Sequence, residues 1–206
     1  MYTCDACNEH FCKSGELDKL PGNCPCKETD EEHMKEVYFE EENYKIAYHS
    51  AIVEAEGYCN KTRLEEIIDF AQKCGYKKLG VAFCLGLGKE AKILCRILRH
   101  NEFEVNSVIC KNRSIPKEFL NIDENQKIKP GTFEPMCNPI GQAIFLNKAE
   151  TEFNIILGLC VGHDSLFIKY SDAPVTVFAV KDRVLAHNPM GVLYMSDGYY
   201  KKKLYK

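Results

Sequence analysis

The twelve cysteines of this chain fall into two groups whose placement constrains the fold more than any other feature. Cys4, Cys7, Cys12, Cys24 and Cys26 crowd the amino terminus, whereas Cys84, Cys110 and Cys160 each close an apolar run and Cys137 stands directly before Asn138-Pro139. The first residues, MYTCDACNEHFCK, have neither the basic nor the apolar region of a leader, and no stretch approaches the roughly 20 apolar residues that span a bilayer. A cytoplasmic protein without membrane partners is therefore expected. In reducing cytosol such cysteines ligate metal or perform thiol chemistry more readily than they form a disulfide framework.

With 206 residues, 45% of them hydrophobic, the chain can bury one main core and carry a small appendage. A formal net charge of -3 gives no general footprint for nucleic acid. Lys201, Lys202, Lys203 and Lys206, interleaved with Tyr199, Tyr200 and Tyr205, form a local basic tail that reads as a solvated terminus. The expected partners are a small-molecule substrate or a redox protein. Nothing in the composition sets an oligomeric state.

Residues 1–27 lack hydrophobic periodicity and contain Pro21, Gly22 and Pro25, so their order must come from a ligand. From Asp30 to about Gly57, Met34, Val37, Tyr38, Tyr44, Tyr48, Ala51, Ile52 and Ala55 keep helical spacing, which predicts one long amphipathic helix. A second helix opens at Thr62, with Glu65 completing a capping box, and closes at Gly75. The pattern then changes to apolar runs alternating with helices, the signature of strand-helix-strand units. The runs are Leu79–Cys84, Phe103–Cys110, Phe153–Cys160 and Val175–Val180, with helices predicted at about Lys89–His100, from Asn138-Pro139 to Glu150, and after Cys160. The expected architecture is a Rossmann-like three-layer α/β domain with a mostly parallel sheet over residues 28–206, its sheet layers preceded by two helices and a metal knuckle at 1–27. Residues 111–136, rich in Pro, Asn and Lys, read as a long surface excursion, functional or mobile.

Cys4-x2-Cys7-x4-Cys12-x11-Cys24-Pro25 offers four thiolates from two short loops. Tetrahedral thiolate sites suit zinc, and the same donors could hold an iron–sulfur cluster. His10 and Cys26 are spare donors. In a parallel sheet, ligands bind outside the carboxyl ends of the strands. Cys84, Cys110, Cys137 and Cys160 therefore have the topology to converge on one cofactor, an iron–sulfur cluster of the 4Fe-4S type. Helix amino termini beneath them favour thiolates and anionic clusters. Free cysteine also serves as a small buried hydrophobe, and Cys59, Cys74 and Cys95 fit that role. Near the expected site, His163 and Asp164 in GLCVGHDSLF could handle protons, and Lys111 could pair with a cluster or an anionic substrate. His187 is a further candidate. The loop CLGLGKEA matches a dinucleotide fingerprint in form, but the second strand ends in Cys110-Lys111 where a ribose-binding acid belongs. Gly86 and Gly88 are read instead as letting the backbone pass close to a group bound near Cys84.

The strings CDACNEHFC, RLEEIIDFA, GVAFCLGLGKEA, MCNPIGQA, GLCVGHDSLF and APVTVFAVKDRVLAHNP together resemble an uncharacterised family of cysteine-rich proteins, taken to bind metal, from anaerobic bacteria and archaea. The resemblance implies that Cys4, Cys7, Cys12 and Cys24 hold a metal and that Cys84, Cys110, Cys137 and Cys160 share a site. It implies no reaction. Three functions remain open from the residues: a redox or sulfur-handling enzyme built on an iron–sulfur cluster, a zinc-stabilised binding or regulatory protein without catalysis, and a thiol transferase with Cys160 as nucleophile and His163 as its base.

Overall fold

The computed structural model describes residues 1–205, which divide into two compact units, one spanning Met1–Ala55 and one beginning at Glu56. In the first unit the cysteine-rich segment consists of 3-10 turns at Cys4–Ala6, Leu17–Lys19 and Pro25–Lys27 with the short helix α1 (Phe11–Ser14). Among its described residues only Leu20 is buried, so apolar packing contributes little to its order. The stretch expected as one helix from Asp30 is two, α2 (Glu31–Tyr38) and α3 (Glu41–Gly57). Asp30 caps α2 by accepting from the His33 N–H at 3.0 Å. The break comes at Phe39-Glu40, where Asn43 Nδ2 takes the Val37 carbonyl at 2.9 Å and so satisfies an end carbonyl from outside the helix. Phe39, Tyr44 and Tyr48 stack in series across it, with centroids 5.5 and 5.8 Å apart. Apolar spacing runs on through the break, which is why periodicity did not reveal it.

The second unit opens with α4 (Arg63–Lys73), and Thr62 forms the capping box expected of it: its N–H donates to Glu65 Oε2 at 2.7 Å and its hydroxyl accepts from the Glu65 N–H at 3.4 Å. There follow β1 (Lys78–Phe83), α5 (Gly88–His100), β2 (Glu104–Ile109), α6 (Pro139–Lys148), β3 (Phe153–Leu159), α7 (His163–Tyr170), β4 (Val175–Val180) and the short helices α8 (Met190–Tyr194) and α9 (Lys201–Leu204). Lys206 of the basic tail lies outside the described residues. The four strands are all parallel in the order β2-β1-β3-β4. Chain alternation sends Leu79, Val81, Val105, Ile155 and Leu157 to one face, where they pack with Ile67 and Ala71 of α4 and Leu94, Cys95 and Leu98 of α5. Ala82, Cys84, Cys110 and Ile156 pack on the other face with Ala143 and Leu146 of α6 and Phe167 of α7. The result is a three-layer, Rossmann-like α/β unit.

Two glycines shape this sheet. A β-carbon on Gly80 would come within 1.9 Å of Asn154 Oδ1 on the neighbouring strand. Asn154 is fully buried, accepts from Thr151 Oγ1 at 2.9 Å and donates to Ser171 Oγ at 2.8 Å. At Gly158 the backbone is left-handed, φ +69°, and the β3–β4 register slips there, which carries Leu159 onto the α6–α7 face. The excursion over residues 111–136 is tied down rather than loose. Its Lys127 side chain, 1% exposed, bridges Glu118 and Glu124, and Lys117 pairs with Glu134.

Gly80→Ala should therefore destabilise the second unit by about 3 kcal/mol, combining overpacking with the loss of a satisfied buried amide. Leu98→Ala, at a fully buried position of α5, should cost about 2–5 kcal/mol. Urea unfolding followed by circular dichroism measures both; midpoints unchanged from the parent would contradict the packing described.

Candidate functional site

The order β2-β1-β3-β4 makes the chain leave β1 toward one edge of the sheet and β3 toward the other. A crevice opens where such connections part, outside the carboxyl ends. Cys84 follows β1, Cys110 follows β2, and Cys160 follows β3. Cys137 precedes the Asn138 cap of α6, whose side chain accepts from the Gly141 N–H at 2.9 Å.

The segments carrying these sulfurs are fastened by amides. The Asn138 N–H donates to the Cys110 carbonyl at 2.7 Å, and Asn112 Nδ2 donates to the Ile109 and Asn138 carbonyls at 2.9 and 3.0 Å. Asn138 Nδ2 returns a bond to Asn112 Oδ1 at 2.9 Å. Gln142, fully buried in α6, donates through Nε2 to the carbonyls of Phe83 and Val108 at 3.2 and 2.6 Å, clamping the last residues of β1 and β2 beneath Cys84 and Cys110. Asn112 and Gln142 escaped the sequence reading. A glutamine amid apolar residues in MCNPIGQAIFL was the available signal, since a polar side chain on a helix face that must be buried has to bond something.

Cys84 and Cys110 are buried in one cluster with Cys137 packed against it. Cys110 and Cys137 hydrogen-bond each other, and the Leu85 N–H donates to Cys110 Sγ at 3.3 Å. The pair splits its acidity. Cys137 is drawn down to about 4, first by the bond from Cys110 and then by one from the His163 ring, with the charges of Lys111 and His163 adding to it. Cys110 is pushed far up, because it supplies the proton of that bond and is partly desolvated. Cys160 takes a different partner: Arg183 Nη2 donates to its sulfur at 3.3 Å. The guanidinium is held more firmly protonated by Cys160, with lesser effects from Cys84 and Cys137, which places one cation within the field of three thiols. Arg183 was not anticipated from sequence.

The remaining expected residues fall as follows. Lys111 donates its ammonium proton to the Pro135 carbonyl while acting on Cys137 through its charge. The His163 ring bonds Cys137, while its backbone N–H donates to the Cys160 carbonyl at 2.9 Å, so the residue touches both cysteine segments. Asp164 accepts from the Ser165 N–H at 2.8 Å at the start of α7. Gly86 lies beside Cys84 and Lys181, whereas a β-carbon on Gly88 would meet nothing within 4 Å. His187 Nδ1 accepts from the Asp182 N–H at 3.2 Å and shapes the turn after β4. Cys95 is buried in the core, Cys74 is buried at the end of α4, and Cys59 is exposed.

In the first unit Cys4, Cys7, Cys12, Cys24, Cys26 and His10 line one cavity of about 70 Å³. Cys26 hydrogen-bonds Cys24 through its thiol, and that hydrogen bond, followed by desolvation and the proximity of Cys24, Cys12 and Cys4, raises its pKa. Among the described residues, no three His, Cys, Asp or Glu side chains in either unit already stand as a ready-made metal-ion cage. No helix of the described residues is long and apolar enough to cross a membrane.

Fold and site define a doubly wound α/β protein with cysteines around the carboxyl edge of its sheet and a separate cysteine segment before it. The chain belongs to the family described as "Protein of unknown function (DUF1847)", whose model matches residues 24–178 and so takes in Cys84, Cys110, Cys137 and Cys160. It is 51% identical over 201 residues to "Uncharacterized protein MJ0455" of the archaeon Methanocaldococcus jannaschii, covering 98% of this chain and 97% of that protein. No solved structure matches the chain.

In the metal-free chain, alkylation of Cys137 should persist as pH falls toward about 4. An ordinary thiol, with pKa of about 8.5, loses about tenfold in rate per pH unit below that value. His163→Ala should move the Cys137 profile upward. Peptide-resolved labelling checks this; a Cys137 profile parallel to that of exposed Cys59 would contradict it.

Proposed function

We propose that Cys84, Cys110, Cys137 and Cys160 hold an iron–sulfur cluster and that the protein is a redox or sulfur-handling enzyme. The observation that carries this reading is the gathering of cysteines from four separate segments around one crevice, with cations rather than carboxylates bearing on their sulfurs. The donor chemistry fits, since iron–sulfur clusters are held by cysteine thiolates and tuned by hydrogen bonds to sulfur. Bound there, the cluster would supply electron transfer or labile sulfur. The chain's own residues do the rest. The Asn112–Asn138 latch and Gln142 fix where Cys110, Cys137 and Cys84 stand, Arg183 orients Cys160, and His163 holds a proton-bearing ring against Cys137. The cavity of the first unit, with five thiols and an imidazole, suits zinc or a second cluster held by Cys4, Cys7, Cys12 and Cys24.

The hydrogen bond between Cys110 and Cys137 favours one other reading, a metal-free dithiol centre that reduces a disulfide substrate: the Cys137 thiolate attacks it, releasing one substrate thiol and forming a mixed disulfide, and Cys110 then attacks Cys137 sulfur, releasing the second thiol and leaving the pair oxidised. The two differ in colour and content. Chain purified without oxygen should contain iron and acid-labile sulfide and absorb visible light, and Cys84→Ser or Cys160→Ser should bleach it. Cys4→Ser should remove only the metal of the first unit. Colourless protein lacking iron and sulfide would overturn the cluster, and zinc lost solely with Cys4→Ser would leave a zinc-stabilised binding protein.

A further inference from the structure

Lys181 follows β4 directly, and its N–H donates to the Leu159 carbonyl at 3.1 Å, which fixes its backbone against the end of β3. From there the side chain runs across the sheet edge. A β-carbon on Gly158 would lie 4.0 Å from Lys181 Cδ, and one on Gly86 would lie 3.2 Å from its Nζ. The stem thus passes Gly158 at ordinary contact distance, and the ammonium arrives tight against Gly86, beside the Cys84 loop at the crevice. A β-carbon on Gly86 would also stand 3.9 Å from Cys84 Sγ.

Lys181 is half-buried as a residue, and its ammonium has no hydrogen bond or ion pair among the described residues. The nearest carboxylate in sequence, Asp182, is occupied: its Oδ1 accepts from the N–H groups of Val184 and Leu185 at 2.9 and 2.8 Å. The other cations of the rim are engaged, Arg183 with Cys160 and Lys111 with the Pro135 carbonyl. An ammonium with no bonded partner at the rim of a crevice is free to take an anion by a charge-assisted hydrogen bond. The opening turn of α5 lies close by and lacks a side-chain cap, which adds partial positive charge on the same side.

We propose that Lys181 is a substrate-binding residue and that the crevice takes a compact oxyanion, a carboxylate or a phosphate-like group, seated on the Lys181 ammonium beside the Cys84 loop. This assignment deepens the function proposed above by naming the substrate class, and rests on the crevice being the working site. The test uses the full chain as purified, with inorganic phosphate and acetate as separate probes at matched ionic strength. Peptide mapping of amine acylation reads occupancy at Lys181, calorimetry reads affinity, and iron and sulfide are assayed on the same samples.

One or both anions should slow acylation of Lys181 and not of exposed Lys92, and which of them does so distinguishes a phosphate from a carboxylate ligand. Lys181→Met should weaken anion binding about tenfold with iron and sulfide unchanged, and Lys181→Arg should restore most of it. If neither anion protects Lys181, or if Lys181→Met removes iron together with anion binding, the assignment is overturned. A colourless wild type that still protects Lys181 would remove the cluster while leaving the oxyanion site standing.

Discussion

The arrangement of the second unit depends on one topological constraint: the chain leaves β1 and β3 in opposite directions. No helix can cover the sheet edge between connections that diverge, so the ends of β1 and β3 face an opening rather than a packed layer. Cys84 and Cys160 stand on either side of that opening. Cys110 joins from the strand next to β1, and Cys137 is brought back to it by the excursion that returns into α6. Lys181 and Arg183 come to the same place by following β4, where the Lys181 N–H extends the ladder to the Leu159 carbonyl and Arg183 reaches Cys160. Sulfur and positive charge meet there for reasons of connectivity before any consideration of chemistry.

What keeps the sulfurs from drifting is a set of neutral amides rather than ion pairs. Asn112, Asn138 and Gln142 bond main-chain groups at the ends of β1 and β2 and at the start of α6. Amides suit this place because they satisfy buried carbonyls without adding a charge that would compete with the thiols. The charges present are cationic and act on sulfur from outside. In the Cys110–Cys137 pair the shared hydrogen bond, helped by these cations, lowers the pKa of Cys137 and raises that of Cys110, a division that neither residue would show alone. Metal binding would displace the proton of that bond and use both sulfurs.

Much of the fold was legible in the sequence, and the exceptions have identifiable causes. The apolar runs located all four strands to within a residue or so, and the Thr62 and Asn138 caps marked α4 and α6, because those signals are local. The break between α2 and α3 was invisible because Asn43 repairs it from beyond the helix end without disturbing the apolar period. At the site, cysteines closing successive apolar runs pointed to the rim. Arg183 and Lys181 gave no such sign: their significance arises from strand order and from the approach of Lys181 to Gly86, facts that exist only in three dimensions. The bond of the His163 ring to Cys137 gave no sign for the same reason, since Cys160 is near in sequence and Cys137 is near in space. In the first unit, Cys26 had no assigned place by spacing, yet it lines the same cavity as its four neighbours.

The claim that four strand-edge sulfurs act as one centre is tested most directly by counting which cysteines become reactive together. Chain isolated without oxygen would be alkylated before and after chelation, and each cysteine quantified by peptide mapping. Cys84, Cys110, Cys137 and Cys160 should be protected as a set and released as a set, while Cys59 reacts throughout. Independent release of the four, or equal reactivity before and after chelation, would contradict a shared guest.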